Sequence, residues 1–107
     1  MTEFVRCCAL SDLVDDEPLA VELGGEPVAI VRVSGGDVYA IRDVCSHAEV
    51  PLSAGEVDGC TIECWLHGSR FDLRTGKPTG MPATEPVPVY PVKTEGDDVL
   101  VAIDQES

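Results

Sequence analysis

Short runs of four to six apolar or β-branched residues, each broken by glycine, proline or aspartate, recur along this chain and leave no room for long helices. They lie at Arg6–Ala9, Ala20–Leu23, Val28–Val33, Val38–Arg42, Thr61–Cys64, Ser69–Asp72, Val89–Lys93 and Val99–Ile103. No segment holds a 3.6-residue apolar period, so the pattern predicts an all-β protein. Ser34-Gly35-Gly36-Asp37, Asp58-Gly59 before Cys60, and Glu95-Gly96-Asp97-Asp98 read as tight turns between strands. Ser11-Asp12-Leu13 can open one helical turn, and Pro18 forbids its extension.

At 107 residues the chain supports one compact domain, here 1–107, with a single small core. From Asp43 to Pro82 the strand signals shorten, and both histidines and three of the five cysteines fall there. This reads as a loop-rich subdomain, about 43–82, inserted in a β base. Pro82, Pro86, Pro88 and Pro91 stiffen the return to the base. There is no internal repeat or low-complexity tract.

Twenty acidic residues against seven basic ones give a net charge of −13. Such a surface repels nucleic acid and anionic lipid and favours a basic patch on another protein. Residues Met1–Leu10 carry no apolar signal-peptide core, and the longest apolar run, Val99–Ile103, falls far short of the roughly 20 residues that span a bilayer. The expectation is a cytoplasmic protein that binds neither nucleic acid nor membrane and is a monomer when free. Five cysteines cannot all pair within the chain, and in a reducing cytosol clustered Cys and His point to metal.

The chemistry concentrates in Cys45-Ser46-His47 and Cys64-Trp65-Leu66-His67. Each motif offers one thiolate and one imidazole at a spacing suited to a loop around metal. Zinc accepts two sulfur and two nitrogen ligands, but its structural motifs commonly pair Cys with Cys and His with His. A binuclear iron–sulfur centre accounts for the mixed motifs, with Cys45 and Cys64 on one iron and His47 and His67 on the other. Both histidines of the chain are thereby committed, leaving no histidine for a nucleophilic triad. Catalytic residues are not expected.

With these motifs the sequence resembles the Rieske family. Cys64-Trp65-Leu66-His67-Gly68-Ser69-Arg70-Phe71-Asp72, followed by Thr75-Gly76, is similar to the second cluster loop and next strand of Rieske ferredoxins. Pro82-Ala83 matches the loop that covers the cluster there, and Val38–Ile41 and Leu52–Val57 also fit. The resemblance implies a Rieske-type antiparallel β-sandwich holding one [2Fe–2S] cluster through Cys45, His47, Cys64 and His67. Quinol-oxidising relatives bridge their cluster loops with two further cysteines, at positions that are Val50 and Leu66 here. The likeness is therefore to the soluble branch that serves oxygenases. Ser69 retains a hydroxyl that raises potential in that family, whereas Phe71 lacks the tyrosine hydroxyl. A value in the lower half of the Rieske range of roughly −150 to +300 mV is implied.

The implied function is a one-electron carrier, not an enzyme, taking electrons from an NAD(P)H-dependent flavin reductase to a Rieske non-haem iron oxygenase. Service to iron–sulfur assembly or as a nitrite-reductase-type small subunit is the alternative, with a zinc-stabilised binding module behind it. Cys7, Cys8 and Cys60 read as small buried residues on strands, Trp65 as packing over its loop, and Arg70 and Arg74 as solvated strand residues.

Overall fold

A computed structural model describes residues 4–33, 36–44, 50–65, 68–79 and 85–102. Among them the chain forms ten strands in chain order: β1 Val5–Ala9, β2 Leu19–Leu23, β3 Glu26–Arg32, β4 Val38–Arg42, β5 Glu56–Asp58, β6 Thr61–Glu63, β7 Arg70–Asp72, β8 Val89–Tyr90, β9 Val92–Glu95 and β10 Asp98–Val101. Two 3-10 turns, Leu10–Asp12 and Leu52–Ala54, are the helical elements. The strands make three antiparallel sheets, ordered β1-β10-β9, β2-β3-β4-β8 and β5-β6-β7. The all-β, antiparallel expectation holds.

The four-stranded sheet is the middle layer, and its sequence explains why. Val28, Ala29, Ile30 and Val31 are all fully buried, which requires cover on both faces. On one face Val28, Ile30, Ala40 and Tyr90 pack with Cys8, Val99 and Val101 of the β1-β10-β9 sheet. On the other, Ala29, Val31, Ile41 and Val89 pack with Leu52, Ile62, Phe71 and Leu73 around the β5-β6-β7 sheet.

Several boundaries differ from the sequence reading for physical reasons. The run Val89–Lys93 divides at Pro91, which has no N–H to donate. There the chain leaves β4 and crosses to β10. Strand β5 has a single apolar residue, Val57, between two carboxylates and therefore showed no periodicity. A β-bulge between Arg6 and Cys8 turns Cys7 to the same core as Cys8, with their sulfurs 3.8 Å apart. Cys8 is buried, but Cys7 is only half-buried. Cys60 lies in the β5–β6 turn rather than on a strand, also half-buried. Ser34, Gly35, the Pro82-Ala83 loop and Ile103 lie outside the described residues.

Candidate metal centre

Cys64 follows β6 directly. Alternation along Ile62, Glu63 and Cys64 aims the Glu63 carboxylate outward and the Cys64 thiol into the core, where it is fully buried beside Ile62 and Phe71. Backbone hydrogen bonds join the described residues on either side of positions 66 and 67. The Cys64 N–H donates to the Ser69 carbonyl at 2.6 Å, and the Gly68 N–H donates to the Cys64 carbonyl at 2.9 Å. Gly68 takes φ +75°, a left-handed value that a side chain resists, so glycine at this position lets the turn close. Ser69 is fully buried at the far foot, and the ring of Phe71 fills the core beneath.

The described residues on either side of 45–49 are joined by a device the sequence did not signal. Asp43, 6% exposed, receives two hydrogen bonds from Ser53, one from its backbone N–H and one from its hydroxyl, both at 2.6 Å. Asp43 also donates its own N–H to the Pro27 carbonyl at 3.0 Å, fastening the stretch to β3. A buried carboxylate is tolerated only with such charge-assisted bonds. Ten residues separate the partners, so no local pattern exposes them.

Of the four sequence-predicted ligands, Cys64 alone is described; Cys45, His47 and His67 lie outside the described residues. Among the described residues no three Cys, His, Asp or Glu side chains gather into another metal site, and no disulfide forms. A reduced, dry thiol at the mouth of a closed turn suits a thiolate ligand, and the donor set of two sulfurs and two imidazoles fits a Rieske centre.

The surroundings are acidic but ordered. Arg70 sits at 2.9 Å from Glu63 and 3.7 Å from Asp58, bracing the outer face of the β5-β6-β7 sheet. Arg74 falls in the turn after β7, where its guanidinium bonds Asp72 at 3.2 Å and holds that carboxyl below its usual range. The arginines are therefore ion-paired, and Arg74 is not on a strand. Burial, and then the neighbouring Cys60 thiol, push the Tyr39 hydroxyl up. Trp65 is 54% exposed, more than expected of a large aromatic packed on its own loop.

The Rieske [2Fe-2S] domain model matches residues 3–91. The ferredoxin component of biphenyl 2,3-dioxygenase from Rhodococcus jostii (strain RHA1) is 42% identical over 99 residues, 92% of each chain. The solved ferredoxin of carbazole 1,9a-dioxygenase from Nocardioides aromaticivorans IC177 superposes with a TM-score of 0.89 at 42% identity, covering 94% of this chain and 98% of that one. A ferredoxin chain solved in complex with the oxygenase of carbazole 1,9a-dioxygenase gives a TM-score of 0.85 at 37% identity, over 92% of this chain and all of that one.

Proposed function

Because the chain belongs to the Rieske family and carries one [2Fe–2S] cluster, we propose that it is the ferredoxin of a dioxygenase system, passing single electrons to the Rieske centre of a terminal oxygenase. Its donor is an NAD(P)H-dependent flavin reductase, and it acts as a cytoplasmic monomer between encounters. The carrying observation is the 42% identity, over 92% of both chains, to a protein that is a dioxygenase's ferredoxin component and not its catalytic one.

In this reading residues 1–107 form one domain, the cluster-binding part is about 43–82, and Cys45, His47, Cys64 and His67 are the ligands. When bound, the cluster supplies reversible one-electron chemistry, at a potential in the lower half of the Rieske range. The chain does the rest. The buried Cys64 offers its thiolate from a dry wall, which disfavours hydrolytic loss of metal. The Asp43–Ser53 bonds and the Cys64–Ser69 turn fix the feet of the two ligand stretches, limiting reorganisation when charge changes. No described helix is long and apolar enough to cross a membrane.

The test is composition. Protein made under iron-replete conditions should contain two iron and two acid-labile sulfide ions per chain. Substituting any of Cys45, His47, Cys64 or His67 by Ala should abolish the visible spectrum. Stoichiometric zinc in their place overturns the reading.

A further inference from the structure

Trp65 is the sole tryptophan, and it stands in solvent immediately after a proposed cluster ligand. Beside it opens a cleft of about 290 Å3 lined by Ala54, Gly55, Glu56, Glu63 and Trp65. Two of its walls are carboxylates in a strained relation. Glu56 and Glu63 face each other directly across β5 and β6, a like-charge pair that costs the sheet stability. Arg70 offsets the charge on Glu63, yet Glu56 makes no ion pair among the described residues. Asp58, its side chain 83% exposed, adds a third carboxylate to the same outer face. Glu63 also lies against Gly68, 3.7 Å from where a Cβ there would stand, so the negative charge reaches the second ligand loop.

An aromatic face and two carboxylates around one cleft suit a planar cation. A guanidinium can stack on indole while donating to carboxylates on its edges, which a hydrated ammonium does less well. We propose that this cleft receives an arginine side chain from a basic docking patch on the terminal oxygenase, with Trp65 as the central anchor and Glu56 and Glu63 as charge partners. The proposal rests on the oxygenase reading above and adds the surface and the partner chemistry to it. Its logic is that the like-charge pair, unfavourable in the free protein, becomes favourable once a cation enters. An acidity serving solubility alone would have no reason to oppose two carboxylates beside an exposed indole.

The experiment is stopped-flow oxidation of the reduced holoprotein by the terminal oxygenase of carbazole 1,9a-dioxygenase from Nocardioides aromaticivorans IC177. E56Q/E63Q should lower the second-order rate about tenfold at low ionic strength and flatten its salt dependence. W65A should lower it by a similar factor with visible spectrum and potential unchanged. E26Q, a control at the β2–β3 turn, should stay within twofold. Because Glu63 precedes Cys64, E56Q alone decides the charge question if the double variant loses its cluster. Rates within twofold of wild type for both E56Q and W65A overturn the proposal.

A second arm separates the two readings. Should the wild-type protein fail to reduce the oxygenase, the carrier reading loses its support, and hexaammineruthenium(III) decides the cleft. That trivalent cation takes one electron from the reduced protein, and E56Q should slow it at least threefold while E26Q does not. Equal rates for E56Q, E26Q and wild type overturn the cleft as a cation site.

Discussion

Gly76 turns the chain at φ +76°, and the position a Cβ would occupy is already taken by the Val87 carbonyl. The Val87 N–H donates back to the Gly76 carbonyl at 2.8 Å, so these backbones cannot part without losing a bond. Gly76→Ala therefore meets both left-handed strain and a steric block, and should cost about 2–3 kcal/mol, read as a lowered urea midpoint. Cys7 makes a prediction of another kind. Burial, reinforced by Cys8, pushes its thiol from an ordinary 9.0 up to about 12, and burial raises Cys8 as well. Below pH 9 folded and unfolded chains both keep the proton, and the fold is undisturbed. Between 9 and about 12 the unfolded chain releases a proton that the folded one retains, so stability declines as pH rises. Cys7→Ala should flatten that alkaline decline in a pH series of denaturation midpoints; an unchanged slope would assign the decline to other groups.

Among the elements, the Asp43–Ser53 clamp and the β5–β6 ladder carry opposite predictions. Asp43→Asn keeps one acceptor for the Ser53 N–H, turns its amide nitrogen toward the Ser53 hydroxyl, and removes the charge that strengthens both bonds. It should cost about 1–3 kcal/mol and release the cluster at lower temperature, followed by visible absorbance. Ser53→Ala loses only the hydroxyl bond and should cost less, about 1 kcal/mol. Glu56→Gln removes a like-charge opposition without breaking an ion pair, so it should leave stability equal or raise it by about 0.5 kcal/mol. These elements also mark what could be read from sequence. Strand β3 was legible as a strand from its β-branched run Val28–Val33, but its cover on both faces came only with the fold. Strand β5 was not, because a three-residue ladder with one apolar member owes its form to Ile62 opposite Val57. Motif spacing singled out Cys64 as a candidate metal donor, whereas the Asp43–Ser53 bonds arise from tertiary approach. Trp65 misled because large aromatics are usually buried, whereas here it lies 54% exposed in the turn after β6.

At the scale of the whole molecule, charge and layering set the behaviour. With −13 overall, encounter with a basic partner should be electrostatically steered. Second-order electron-transfer rates should fall steeply as the Debye length shrinks from about 10 Å at 0.1 M salt to about 3 Å at 1 M. A flat dependence would mean the acidity serves only solubility. The layering has a temporal consequence. Val5 pairs with Val101 and Ala9 with Asp98, so β1 has no partner until β10 has been made. During synthesis the first strand must wait as an unpaired edge until residues through Val101 have emerged, and one face of the middle sheet waits uncovered with it. Closing so long a loop is slow, so the final layer should assemble only once Val101 has cleared the exit tunnel. A nascent chain stalled before residue 98 should remain protease-sensitive, and one extended past Val101 and clear of the exit tunnel should become resistant in a single step.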